Sequence, residues 1–156
     1  MKNFSIILLT LVCGYITTGC GKQVIKPEEY VRPTFEQSIV KVQTPEQIAH
    51  YLRTTIFYKA DTTFDEEYKS PERTYNDMHG DCEDYALIAL YIARKRGYTA
   101  DLLALGNTTL HMVCWIKGHG CTDNGEWVKV TTDNFNVVVK TVMPNNNYAK
   151  IIDWRF

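Results

Sequence analysis

Gly80-Asp81-Cys82-Glu83-Asp84-Tyr85-Ala86-Leu87-Ile88-Ala89-Leu90-Tyr91-Ile92-Ala93-Arg94-Lys95-Arg96-Gly97 is the stretch that decides the fold. Acidic residues cluster at its start and basic residues at its end, as the helix dipole favours, and Gly97 is a natural stop. From Tyr85 to Ala93 it is apolar on nearly every side, so the helix it predicts belongs in the middle of a core. Cys82 falls in the first turn of that helix. Unpaired backbone N–H groups and the positive end of the dipole both favour a thiolate there, the reactive form of cysteine. Asp81 and Glu83 oppose this by repulsion, so activation needs an imidazolium from elsewhere in the chain. The bland alternative, a buried structural cysteine, fits poorly with carboxylates on both sides.

Working outward, Thr44-Pro45-Glu46-Gln47 reads as a capped helix start, and Ile48, Tyr51, Leu52 and Ile56 recur at helical spacing to about residue 57. Ser70-Pro71-Glu72 opens a shorter helix that ends before Gly80. After Gly97 the texture turns to strands, expected over 100–105, 109–117, 126–132 and 136–142, with 118–125 as a polar loop. Helices first and antiparallel strands after them predict an α+β domain, with the Cys82 helix packed on the sheet. The domain is expected over 44–156, preceded by a tether over 20–43 that is rich in Lys, Gln, Pro and Glu.

The chain has 156 residues, enough for one domain with one core. A net charge of −1 and the lack of a Lys/Arg run that could form a phosphate-binding stripe exclude nucleic acid as an expected partner. Residues 1–19 read as a signal peptide: Lys2, then an apolar run from Phe4 to Ile16 that is too short to span a bilayer. Thr17-Thr18-Gly19-Cys20 resembles a bacterial lipoprotein signal, with Cys20 the lipidated residue; the alternative is a plain secretory signal cleaved near Gly19. Either predicts export to the periplasm or cell envelope, and lipidation would attach the protein to a bacterial membrane. Cys82, Cys114 and Cys121 remain in the folded part, an odd number, so at least one is free.

Among the four histidines, His50 reads as a surface residue of the first helix, His79 lies in the turn before Cys82, and His119 sits between glycines. His111 lies inside a strand, Leu110-His111-Met112-Val113-Cys114-Trp115-Ile116, and a rigid element positions a base better than a loop. Alternation along that strand puts His111, Val113 and Trp115 on one face, expected to look toward the Cys82 helix, and Cys114 on the other. A third group should accept from the imidazole and fix its tautomer. Asp133 follows the next expected strand and is the expected partner. Asp123 and Asn134 are the competitors.

Gly80-Asp81-Cys82-Glu83-Asp84-Tyr85-Ala86, a strand histidine, and Asp133-Asn134 after an apolar strand together resemble the bacterial transglutaminase-like cysteine proteinases. Tyr68-Lys69-Ser70-Pro71-Glu72 resembles the segment that leads into the cysteine turn of that family. The resemblance implies a papain-like, transglutaminase-like domain with a Cys82–His111–Asp133 triad. It implies a thiol hydrolase that cleaves a protein or peptide substrate through a thioester, with no cofactor required for the chemistry. The same triad would serve a transglutaminase or amidase, and a non-catalytic envelope-binding module is the remaining alternative. Relatives also imply a calcium site at Asp81 and Glu83, since calcium takes oxygen ligands. The other account of those two carboxylates is helix capping and pairing with basic neighbours.

Overall fold

The computed structural model describes residues 31–61, 68–106 and 109–156. The expected signal peptide, the lipidation site at Cys20 and the tether up to residue 30 lie outside the described residues. Within them the order is α1 (Phe35–Ser38), α2 (Pro45–Thr55), β1 (Phe57–Tyr58), α3 (Pro71–Asp77), β2 (His79–Gly80) and α4 (Cys82–Lys95). Then follow β3 (Ala100–Gly106), β4 (Leu110–Ile116), β5 (Gly120–Asp123), β6 (Glu126–Lys129), α5 (Phe135–Val142) and β7 (Tyr148–Ile152). The α+β architecture is the expected one: helices come first, and an antiparallel sheet of order β6-β5-β4-β3-β7 follows.

α4 is the buried centre of this domain. Asp84 to Leu90, Ile92 and Ala93 are all buried along it. It packs on the sheet face that carries Leu102, Cys114 and Ile116. The opposite face carries Leu103, Leu105, Val113, Trp115 and Cys121 and is covered by α5 through Val138 and Val139. At the far end of α4, Arg96 donates to the carbonyls of Ile39 and Val42, and Arg94 to those of Ala100 and Trp154. These basic side chains offset the negative end of the helix dipole while they tie flanking segments to it.

Three expectations change. The segment 32–43 is part of the domain rather than a tether. Thr34 and Gln37 close a capping box on α1, and Phe35, Ile39 and Val42 are buried in the core. The segment 136–142 is helical, not a strand: Asn134 accepts from the N–H of Val137 at the cap, and Phe135, Val138, Val139 and Val142 face the sheet at helical spacing. The expected loop 118–125 contains β5. Asn124 and Gly125, both at positive φ, form the two-residue turn that joins β5 to β6, with Asp123 paired to Glu126 across it.

Candidate active site

Cys82 is the first residue of α4, so its backbone N–H has no acceptor within the helix. The turn that delivers it depends on Gly80, where an added Cβ would lie 2.5 Å from the Asp84 side chain. Asp84 is buried and takes two hydrogen bonds from Lys69, at 3.3 Å from its backbone N–H and 3.1 Å from its ammonium. Burial of both groups means that removing either would strand a charge. The pair holds the Tyr68–Lys69 segment over the start of α4.

His111 lies near the start of β4. Its Nε2 is 2.7 Å from Oδ1 of Asp123, with both side chains roughly three-quarters shielded. Asp123 and Cys82 raise the imidazole to about 10, Asp123 by the larger amount, through hydrogen bonding to the charged ring and against the cost of burial. His111 and Cys82 share one cleft of about 170 Å³, whose floor is Ala104, Met112 and Ile152. That is small beside the ~300–1,000 Å³ of sites that enclose whole ligands. It suits an extended chain offering one side chain at a time.

Asp133 does not meet His111, and sheet topology explains why. β4 and β5 are antiparallel, with Cys114 opposite Thr122. Asp123, one step further, therefore lies beside Val113, and His111 is its diagonal neighbour on the same face, within reach of a long side chain. β6 is antiparallel to β5, so it runs in the direction of β4, and its exit lies at the other end of that strand. Asp133 is exposed there, with Oδ1 3.9 Å from where a Cβ on Gly118 would stand. Six residues of strand and turn, 112–117, roughly 20 Å of chain, separate Gly118 from His111. Asp123, the competitor in the sequence, is the partner of His111.

The expected facing is also corrected. Cys114 shares the α4 side of the sheet, while Val113 and Trp115 pack under α5. His111 nevertheless lines the cleft, because β5 ends at Asp123 and leaves the start of β4 without a neighbour on that side. Cys114 and Cys121 are free, buried and on opposite faces of the sheet. Burial pushes both thiols up, Cys121 to about 12. His50 is exposed, and His119 is exposed against the edge of Tyr98.

Asp81 and Glu83 flank Cys82, and the structure adds Asp61 as a third carboxylate. One oxygen from each of Asp61, Asp81 and Glu83 lies within 4.8 Å of the others. Asp81 makes no capping hydrogen bond, and its Oδ1 is buried without a partner among the described residues. Capping therefore does not account for it. Glu83 is pushed up to about 7, first by burial and then by the Asp81 charge. Its Oε2 accepts a hydrogen bond from the Cys82 thiol at 3.5 Å.

A thiol at a helix start, an imidazole and a carboxylate, held in that order on an α+β scaffold, define a cysteine-peptidase-like class of enzyme. The chain belongs to the transglutaminase-like superfamily, whose family model matches residues 29–133. The fold is similar to that of calcium-bound LapG from Legionella pneumophila, with 20% identity and a TM-score of 0.52 over 72% of this chain and 63% of that one. EGTA-treated LapG from the same organism aligns with 22% identity and a TM-score of 0.49 over 58% of this chain and 56% of that one. The chain thus spans less than two thirds of the length of these proteins. No curated relative matches it in sequence.

Proposed function

We propose that the protein is an exported cysteine endopeptidase that cleaves a protein substrate at the cell envelope, with Cys82 as nucleophile, His111 as acid and base, and Asp123 as the group that orients His111. The observation that carries this reading is the 2.7 Å pair of His111 with Asp123 in the cleft that contains Cys82. An imidazole held protonated toward pH 10 beside a thiol is the usual partner of a reactive thiolate. With Nε2 committed to Asp123, Nδ1 is the ring atom left to serve Cys82.

Attack of the Cys82 sulfur on a substrate carbonyl forms the S–C bond and an oxyanion. The Cys82 N–H at the start of α4 is a fixed donor for that charge. Collapse breaks the C–N bond as His111 gives its proton to the leaving amine, and the acyl group stays as a thioester. His111 then takes a proton from water, whose oxygen attacks the thioester and frees the acid. An amine in place of water would give a transglutaminase product from the same intermediate. Asn76, six residues before Cys82, is exposed on α3 and does not line the cleft, so it offers no second donor for the oxyanion.

Export and the lipid anchor rest on residues 1–20 of the sequence. The test of function is mass spectrometry of new protein N-termini after incubation with an envelope extract, comparing the wild type with Cys82→Ala. New termini with the wild type alone support the peptidase. Amine cross-links without new termini would replace it with a transglutaminase.

Calcium fits the carboxylate group beside Cys82. Asp61, Asp81 and Glu83 supply hard oxygen donors, and the buried Asp81 Oδ1 has no hydrogen-bond partner among the described residues. A bound ion would neutralise the charges that oppose a thiolate at Cys82. Calcium is expected to raise the melting temperature by about 5–10 °C at a hundredfold excess over Kd, and Asp81→Asn is expected to remove that rise. Because Glu83 holds its proton up to about pH 7, the rise should shrink as pH falls through 7. A melting temperature indifferent to calcium, or a rise that survives in Asp81→Asn, contradicts the assignment.

A further inference from the structure

The cleft carries a cation that the chemistry above does not use. Lys150 lies on β7, the edge strand of the sheet, where Tyr148, Lys150 and Ile152 share the face that lines the cleft, while Ala149 packs on the other side. Pairing is Ala104 with Lys150 on one side and Ala104 with Met112 on the other. Lys150 is therefore two strands from β4, roughly 10 Å from the residue next to His111. It is exposed, and no carboxylate partner is found for it among the described residues.

The charges around Lys150 leave its ammonium uncompensated. Glu83 is the carboxylate that lines the same cleft, and it is grouped with Asp81 and Asp61. The other cation of the cleft, His111, is committed to Asp123. Lys69, next to the cleft residue Tyr68, is committed to Asp84. An extended substrate advances about 3.3 Å per residue and presents alternate side chains to one wall. A side chain about two to three residues from the scissile bond would therefore fall within reach of Lys150.

We propose that Lys150 sets the specificity of the cleft by pairing with an acidic side chain, Asp or Glu, of the protein substrate, about two to three residues from the scissile bond. This rests on the peptidase reading. Ala104, Met112 and Ile152 form the apolar floor between that contact and the cysteine. Lysine on an edge strand also serves to block strand addition, and that role alone would give no preference among substrates.

The test is a positional-scanning peptide library digested with the full chain, with cut sites read by mass spectrometry. Matched Glu and Gln peptides at the selected position then give kcat/KM. The wild type is expected to favour Glu by about five- to tenfold at low salt, and less at high salt. Lys150→Ala and Lys150→Gln are expected to bring the ratio to one, and Lys150→Glu to favour a Lys peptide; circular dichroism checks that each variant is folded. Equal kcat/KM for Glu and Gln in the wild type, or an unchanged ratio in Lys150→Ala, overturns the proposal and leaves the peptidase standing. A library that the wild type cuts no more than Cys82→Ala does overturns both.

Discussion

Cys82→Ala is expected to abolish turnover, by about 10⁴-fold or more, while the fold survives. The effect is large because neither of the other two cysteines among the described residues can replace Cys82. Cys114 and Cys121 are buried in the sheet, with thiols pushed up by desolvation. The fold should survive because Cys82 sits at the first turn of α4, half-buried, and removing its sulfur leaves the Tyr85 to Ala93 core untouched. Far-ultraviolet circular dichroism and peptide kinetics on the same sample measure both. Activity that persists in the folded variant would remove the thiol from the mechanism.

Asp123→Asn is expected to lower kcat/KM by about 10²–10⁴, while Asp133→Asn leaves it unchanged. Asp123 is the larger of the two influences that keep His111 protonated. Without its carboxylate the imidazole falls toward its ordinary value. The imidazolium form is present below the His111 value and lost above it, so wild-type activity declines as pH rises through about 10. In Asp123→Asn that decline should move to lower pH. Asp133 stands at the far end of β4 and touches neither cleft residue. Full kinetic pH profiles of both variants check this, and damage from Asp133→Asn with a silent Asp123→Asn would restore the register expected from the sequence.

The central helix and its cysteine were legible because their signals are local. A charge gradient, a stop glycine and an apolar stretch are all properties of consecutive residues. The carboxylate was not legible, because its place depends on counting strands. Missing β5 made β6 the apparent antiparallel neighbour of β4, which moved the chosen aspartate to the wrong end. The signal was present in Asn124-Gly125, a dipeptide that favours a two-residue hairpin turn, but Cys121, Thr122 and Asp123 make too short a run to show alternation. Asp-Asn also occurs twice, at 123–124 and 133–134, so the dipeptide itself could not choose.

Two other differences have related causes. Val137, Val138 and Val139 carry strand propensity, yet Phe135, Val138, Val139 and Val142 repeat at helical spacing, and burial of that stripe against the sheet overrides local preference. Phe35, Ile39 and Val42 are sparse apolar residues in a polar segment, and their value appears only when α4 supplies the surface that they cover. Asp61 joins Asp81 and Glu83 from twenty residues away, through parallel pairing of β1 with β2, which no local pattern announces.

Catalysis turns on a thiol at Cys82 activated by His111, and the alkylation rate of each cysteine by iodoacetamide tests this most directly. At neutral pH, mass spectrometry should find Cys82 modified far faster than Cys114 and Cys121 in the folded protein, and His111→Ala should slow Cys82 to the rate of an ordinary exposed thiol. Equal labelling of the three cysteines, or a Cys82 rate unchanged in His111→Ala, would contradict it.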